Sequence, residues 1–240
     1  MMLLTLGHEE LFARAADTFA QSANEAVLDR GVFSVALSGG STPKRLYSLL
    51  ADGELPWSMT RVFFSDERCV PWEHSESNYG TAHQELLSKV AIPSDNIHRM
   101  RGELDPTRAA DDYSAELVEA FKLERGAPPR FDLLLLGLGE DGHTASIFPG
   151  SDALADPTGL VKAVFVPKLQ SWRLTLTPRV IQNARKIMVI AVGANKAGAL
   201  RLALEGPDDL SSCPAQLLSQ AAGKVIWLAD PEAASMLAKV

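Results

Sequence analysis

The stretch FDLLLLGLGEDGHTAS, residues 131–146, begins with an apolar run of strand length that ends in three glycines within six residues. A short apolar run bounded by glycine is typical of a strand buried on both faces, as in a parallel sheet. Open α/β sheets bind their ligands in the loops at the carboxyl ends of such strands. His143 lies in this loop, so it is a candidate acid or base near neutral pH.

Strand-like and helix-like patterns alternate along the rest of the chain. Apolar spacing predicts helices over residues 9–30, 44–50, 78–90, 105–125, 178–183, 197–204, 214–222 and 231–240. β-rich runs predict strands over residues 32–37, 62–65, 161–166, 173–177, 186–192 and 225–228, with a minor strand within 96–101. The alternation predicts a Rossmann-like α/β fold of three α/β/α layers with a mostly parallel central sheet. Because no internal repeat or Pro-rich linker divides the chain, we expect residues 1–240 to form a single domain.

The composition excludes several classes of protein. A net charge of −7 argues against a nucleic-acid partner, which usually requires a basic balance. Cys69 and Cys213 are far apart and have no partnering pattern, so we expect neither a disulfide nor a zinc site. The first residues lack the features of a signal peptide, and no run approaches the ~20 apolar residues of a membrane span. We therefore expect a cytoplasmic enzyme with no membrane partner.

The turn SGGST, residues 38–42, lies between a predicted strand and a predicted helix. Gly39 and Gly40 allow a ligand to approach the backbone, and the N-terminus of the following helix favours an anion. The hydroxyls of Ser41 and Thr42 add hydrogen-bond donors. The turn matches neither the Walker loop nor the dinucleotide fingerprint, so no nucleotide is implied. The alternative interpretation is a tight turn with a Ser or Thr helix cap.

Charged residues occur at the ends of other predicted elements. Asp66 and Arg68 follow a predicted strand, and an arginine there can make a bidentate contact with a phosphate or carboxylate. Arg173 opens a strand and Lys196 precedes a helix. Each of these residues, taken singly, is also consistent with a solvent-exposed side chain or a surface ion pair. Their similar positions in the predicted sheet favour a converging cluster.

His143 has no nucleophile with which to form a triad. The residues 139–142 contain no Ser and therefore no Gly-x-Ser-x-Gly elbow, and neither cysteine has a histidine-linked context. Activation of a water molecule by His143 is the simpler chemistry. The acidic residues near 66–67 and 140–141 lack the spacing of metal ligands, so we expect no metal. A hydrogen-bonded structural histidine is the alternative interpretation.

Several segments together resemble the superfamily that contains 6-phosphogluconolactonase and glucosamine-6-phosphate deaminase. The matching segments are residues 36–43, 64–71 with 77–79 after them, 136–150, 173–177 and 193–197. They span most of the chain and occur in the family's order, so the set is specific. Residues 168–172 differ from the Pro-rich pattern of the family's corresponding loop.

The resemblance implies hydrolysis of 6-phospho-D-glucono-1,5-lactone, with this phosphosugar lactone as the small-molecule partner and with no metal or organic cofactor. It implies that His143 is the base and Asp66 a second active-site carboxylate. The phosphate would be held by Gly39, Gly40, Ser41, Thr42, Arg68, Arg173 and Lys196. We expect a monomer. Either Asp66 or Asp141 could orient His143.

Two alternative functions remain at this point. Glucosamine-6-phosphate deaminase also uses a histidine in an Asp-Gly-His loop, but its loop continues into a segment with a glutamate, and residues 146–149 here have none. A non-catalytic regulator that binds sugar phosphates would not need His143 or Asp66. The presence of both residues favours lactone hydrolysis.

Overall fold

Six parallel strands form the central sheet of the protein, which a computed structural model describes for residues 1–40 and 42–238. The strands are β1 (Met2–Thr5), β2 (Phe33–Leu37), β3 (Thr60–Phe64), β4 (Asp66–Arg68), β5 (Leu133–Gly137), β6 (Val161–Val166), β7 (Ser171–Leu176), β8 (Lys186–Ala191) and β9 (Lys224–Ala229). The α-helices are α1 (His8–Arg30), α2 (Thr42–Ala51), α3 (Asn78–Ala82), α4 (Pro106–Phe121), α5 (Pro178–Gln182) and α6 (Ala197–Glu205). The central order is β1-β9-β8-β5-β2-β3. The prediction of an α/β fold with a mostly parallel sheet is confirmed.

The apolar run in β5 lies at the centre of this sheet, between β2 and β8. Leu134 and Leu136 pack into a core on one face, and Leu133 and Leu135 pack into a second core on the other face. Helices α1 and α2 cover the second core, whereas α4, α5 and α6 cover the first. The run has no polar alternation because both of its faces are buried.

A small antiparallel sheet, ordered β4-β7-β6, packs beside the first core. Ser65 joins it to the central sheet, since its N–H donates to the Leu37 carbonyl at 2.7 Å and its carbonyl accepts from the Leu176 N–H at 2.9 Å. The strands at 161–166 and 173–177 are present as predicted, but the sequence does not indicate that they form a separate sheet. This sheet forms a wall beside the carboxyl ends of the parallel strands.

The strand order reverses direction between β2 and β5. The chain runs from β2 outwards to β3, and then returns to place β5 on the opposite side of β2. The loops that follow β2 and β5 therefore leave the sheet on opposite sides of a crevice. Open α/β sheets bind ligands at such a switch point.

Some predicted elements differ in the structure. β1 is absent from the prediction, and it forms by pairing with β9, which is distant in the chain. The predicted helix 231–240 is wrong for residues 231–238, which form turns and irregular chain instead. Residues 239–240 lie outside the described residues. A segment this short gains little from helix formation alone. The predicted helix 78–90 consists of α3 and a π-helical segment, His83–Leu87. The helix predicted over 214–222 is a 3-10 helix, Pro214–Gln220.

None of the helices in the described part of the chain combines the length and the apolar character needed to cross a membrane.

Candidate active site

A cavity of about 470 Å³ opens at the carboxyl ends of β2, β5 and β8, beside the small sheet. The predicted site residues that line it are His143, Asp66, Gly39, Gly40, Thr42, Arg68, Arg173 and Lys196. Ser41, which was predicted with them, lies outside the described residues. The fold thus brings together residues that are separated by more than a hundred positions in the sequence.

His143 is held within its own loop by two neighbours. Its Nδ1 lies 2.5 Å from Oδ1 of Asp141, and its backbone N–H donates to the same oxygen at 3.3 Å. The ring stacks on Phe148, with the two centroids 4.1 Å apart and the planes at 28°. Because Nδ1 is engaged by Asp141, Nε2 is the ring nitrogen that is available for proton transfer.

The pKa of Asp141 lies below its ordinary value. Partial burial acts to raise this pKa, but the hydrogen bonds and the charge of His143 together lower it. Asp141 is therefore a carboxylate near neutral pH. A carboxylate at this position favours the tautomer in which Nδ1 of His143 carries the proton.

The turn that carries His143 requires close backbone packing. The Gly139 N–H donates to the His143 carbonyl at 2.8 Å, and a side-chain carbon at Gly139 would overlap the His143 ring. Ala145, two residues beyond, has a φ of 48°, in the left-handed region that residues other than glycine adopt infrequently. This compact turn directs the ring back over Gly139 and towards the cavity.

Asp66 is hydrogen-bonded to the His143 loop through Ser146, and not to the imidazole itself. Its Oδ2 accepts from the Ser146 hydroxyl at 2.7 Å, and its Oδ1 accepts from the Ser65 hydroxyl at 3.2 Å. The side chain is buried but lines the cavity. The orienting carboxylate, which the sequence left open, is Asp141 in this structure.

Glu67 faces away from the cavity and anchors β4. It is only 2% exposed, and it accepts hydrogen bonds at 2.7 to 3.1 Å from the N–H groups of Arg68, Asn78 and Tyr79 and from the hydroxyl of Ser77. Since side chains alternate along a strand, this anchor directs Asp66 and Arg68 to the opposite side, towards the cavity.

Arg68 and Arg173 are opposite each other in the β4–β7 pair. Like charges in this position destabilise a strand pair. Burial, followed by the charge of Arg68, lowers the pKa of Arg173 from its usual value. A bound anion would reduce both costs, and guanidinium groups match the geometry of phosphate. The two guanidinium groups are therefore chemically suited to bind a phosphate or carboxylate.

The turn after β2 forms a second wall of the cavity. A side-chain carbon at Gly39 would overlap the amide of Asn78, so only glycine allows this turn to pack against α3. Gly40 has a φ of 99°, which also favours glycine. The glycine pair thus exposes backbone to the cavity beside Thr42.

The turn that carries Lys196 is fixed by Asp230 and Glu140. The Asp230 carboxylate accepts from the Gly193 N–H at 3.0 and 3.1 Å, and Gly193 has a φ of 96°. The Asn195 amide donates to Glu140 at 2.6 Å, which joins this turn to the His143 loop. Lys196 therefore lies at the cavity in a turn that is held on both sides.

Comparison with known proteins places this arrangement in a family. Residues 7–227 match the family described as glucosamine-6-phosphate isomerases/6-phosphogluconolactonase. The chain belongs to this family. The 6-phosphogluconolactonase of Synechocystis sp. is 40% identical over 228 residues, which cover 95% of this chain and 94% of the relative. The Rattus norvegicus 6-phosphogluconolactonase is 36% identical over 236 residues, covering 95% and 90%.

Solved structures of the glucosamine-6-phosphate isomerase/6-phosphogluconolactonase family have the same fold. The 6-phosphogluconolactonase from Trypanosoma cruzi has a TM-score of 0.89 at 34% identity, covering 99% of this chain and 97% of that chain. A monomeric glucosamine-6-phosphate deaminase has a TM-score of 0.82 at 21% identity, covering 98% and 100%, which is a likeness of fold alone.

Among the cavity residues that have no role in the sequence-based prediction are Ser146, Phe148 and Lys168. Ser146 and Phe148 lie within five residues of His143 in the sequence, so their closeness to the predicted base could have indicated that they line the site. Lys168 lies much further along the chain and has no such signal. Among the residues that the structure describes, no three His, Cys, Asp or Glu side chains are grouped as metal ligands.

Proposed function

We propose that this protein hydrolyses 6-phospho-D-glucono-1,5-lactone to 6-phospho-D-gluconate, a step of the oxidative pentose phosphate pathway. Relatives at 36% and 40% identity over nearly their whole length are 6-phosphogluconolactonases. The observation that carries the proposal is the His143–Asp141 pair in the same cavity as the opposed Arg68 and Arg173. A general base and an anion site in one cavity are what hydrolysis of a phosphorylated lactone requires.

His143 is the general base in this mechanism. Nδ1–H donates to Asp141, so Nε2 takes a proton from water as the water oxygen attacks the lactone carbonyl carbon, C1. The carbonyl π electrons move to oxygen, and a tetrahedral oxyanion forms. The Asp141 carboxylate stabilises the imidazolium that results.

His143 then acts as the acid. The oxyanion collapses, the bond between C1 and the ring oxygen breaks, and the imidazolium returns its proton to that oxygen. The product is an open-chain carboxylic acid, which ionises at neutral pH. The base is regenerated, and only water is consumed.

Asp66 binds the sugar in this proposal. Its oxygens already accept from Ser146 and Ser65, and a carboxylate has further lone pairs that can accept from a substrate hydroxyl or hold the attacking water. The phosphate is bound by Arg68 and Arg173, with Lys196 and the turn of Gly39, Gly40, Ser41 and Thr42 as further contacts.

The experiment is a rate assay on freshly prepared 6-phosphogluconolactone, corrected for spontaneous hydrolysis. We expect His143→Ala to lower kcat by about 10²- to 10⁴-fold, which is the usual contribution of a general base. The matched control is His8→Ala, because His8 is exposed and lies outside the cavity. This variant should hydrolyse the lactone at the wild-type rate.

Near-normal turnover by His143→Ala would remove the base assignment. Ammonia release from glucosamine 6-phosphate by the wild-type protein, without lactone hydrolysis, would instead establish the deaminase activity.

We also propose that the protein is a cytoplasmic monomer of one domain that needs no metal or organic cofactor. The mechanism supports the last point, since it uses side chains and water alone. Sedimentation of the purified protein tests the monomer.

A further inference from the structure

Lys168 lies at the tip of the β6–β7 hairpin, in the 3-10 turn Pro167–Leu169. It lines the cavity, and its Nζ is 3.9 Å from Oδ2 of Asp141. The other oxygen of Asp141 holds the His143 ring. The hairpin therefore carries an ammonium group across the cavity to the end at which His143 acts.

The contact between Lys168 and Asp141 contributes little to the stability of the fold. The Lys168 side chain is 76% exposed, and exposed ion pairs of this kind are worth only ~0–1 kcal/mol. At 3.9 Å the ammonium is beyond hydrogen-bond distance from the carboxylate. Within the described residues, no hydrogen bond from Nζ of Lys168 is present, so its three N–H donors are available to a ligand.

A positively charged group at the His143 end of the cavity would stabilise the intermediate of lactone hydrolysis. During lactone hydrolysis the oxygen on C1 gains a full negative charge close to the Asp141 carboxylate. The imidazolium of His143 offsets one of these two negative charges. A second, preplaced positive charge would stabilise the other, and its effect increases when substrate excludes water from the cavity.

We propose that Lys168 binds the C1 oxygens of the ligand, which are the oxyanion of the intermediate and the carboxylate of the product. This inference rests on the proposed function, because it assigns C1 to the His143 end of the cavity. The β6–β7 hairpin then contacts both ends of one substrate: Arg173, on β7, binds the phosphate, and Lys168, at the tip, binds C1.

The experiment compares two phosphorylated ligands that differ only at C1. These are 6-phosphogluconate, which has a carboxylate there, and glucitol 6-phosphate, which has a hydroxymethyl group. The variants are Lys168→Gln and Lys168→Arg. The matched control is Lys162→Gln on the same hairpin, whose Nζ donates to the Asp152 carbonyl at 3.1 Å outside the cavity.

We expect Lys168→Gln to lower kcat about 10-fold and to weaken 6-phosphogluconate binding about 10-fold, the effect of losing one charged hydrogen bond. The affinity of Lys168→Gln for glucitol 6-phosphate should stay within about twofold of the wild-type affinity, because C1 of this ligand has no charge. Lys168→Arg should restore most of both losses. Lys162→Gln should behave as wild type in every assay.

An equal loss of affinity for both ligands would overturn the proposal. It would show that Lys168 contacts the phosphate or that it only maintains the structure of the hairpin. An unchanged kcat with unchanged affinity for 6-phosphogluconate would overturn it as well. Failure of the proposed function is distinct, because it appears as a wild-type protein that does not accelerate lactone hydrolysis.

Discussion

The single contact that most changes the chemistry of the site is the one between Asp141 and Nδ1 of His143. Two carboxylates, Asp66 and Asp141, are compatible with the sequence as partners of this histidine. The choice depends on the orientation of the ring, which Phe148 and the close approach of Gly139 determine. These are packing effects across a turn, and a residue pattern does not specify them.

Asp141→Asn tests this contact. We expect kcat to fall by about 10- to 100-fold, because an amide does not stabilise the imidazolium as a carboxylate does. Asp52→Asn, an exposed change outside the cavity, is the control and should leave kcat unchanged. Wild-type kcat in Asp141→Asn would show that another group orients His143.

The same variant has an expected pH dependence of stability. The pKa of Asp141 in the folded protein lies below its ordinary value of 3.8, so the carboxylate stabilises the fold above that pH. This contribution is lost as the pH falls through the folded-state pKa. Urea denaturation at about pH 6 should therefore give a higher free energy of unfolding for wild type than for Asp141→Asn. The difference should be below ~1 kcal/mol, because the pair is partly exposed. Below about pH 3 the difference should be smaller.

At the scale of elements, β4 shows what a three-residue strand can specify. The sequence places Asp66 and Arg68 after a strand, and the structure shows that they belong to a strand of their own, β4, in which alternation puts them on one face and Glu67 on the other. The pairing of β4 with β7 is not predictable in this way, because a strand-like pattern does not identify its partner. That pairing is what sets Arg173 opposite Arg68.

Glu67→Gln should weaken the attachment of β4 to α3. In the wild type, the N–H groups of Asn78 and Tyr79 donate to the Glu67 carboxylate. A Gln side chain replaces one acceptor oxygen with an N–H₂ group, so at least one buried donor loses its partner. We expect the free energy of unfolding to fall by about 2 kcal/mol and KM to rise, as Asn78 shifts against Gly39. Urea denaturation and lactone kinetics measure the two effects.

The control for this change is Glu73→Gln, since Glu73 is exposed. Its free energy of unfolding should stay within about 0.5 kcal/mol of wild type. Equal stability of Glu67→Gln and wild type would show that solvent or neighbouring groups replace the lost hydrogen bonds.

For the whole molecule, the central sheet is the part that the sequence predicts best. Runs such as residues 133–136 are apolar at every position, and this pattern, bounded by glycine, is typical of a strand covered on both faces. The prediction does not contain β1 or the separate small sheet, because the pairings of β1 with β9 and of β4 with β7 join strands that are distant in the chain. The site follows the same rule: residues at strand ends are predictable, whereas Lys168, at a hairpin tip, is not.

Leu134→Ala and Leu135→Ala test whether the two cores belong to one cooperative unit. The two residues are adjacent in β5 and are buried on opposite faces of the sheet. Each change should cost about 2–5 kcal/mol, the usual range for a leucine in a core. In a single domain, tryptophan fluorescence and far-UV circular dichroism should both report one transition that shifts with either change.

Leu28→Ala is the control, because Leu28 is 87% exposed, and it should leave the free energy of unfolding within about 0.5 kcal/mol of wild type. Separate transitions, with each leucine variant affecting only one of them, would contradict the single-domain proposal.

The position of β9 between β1 and β8 has a consequence for biosynthesis. In chain order β1 precedes and β9 follows the other described strands, so β1 has no partner in this sheet until residues 224–229 have been synthesised. During that interval β1 and one edge of β8 both expose backbone groups that another nascent chain can pair with. Insertion of β9 covers the open edge of β8 and the facing edge of β1 at once, and a chain released before this strand is complete would be directed towards aggregation or a chaperone.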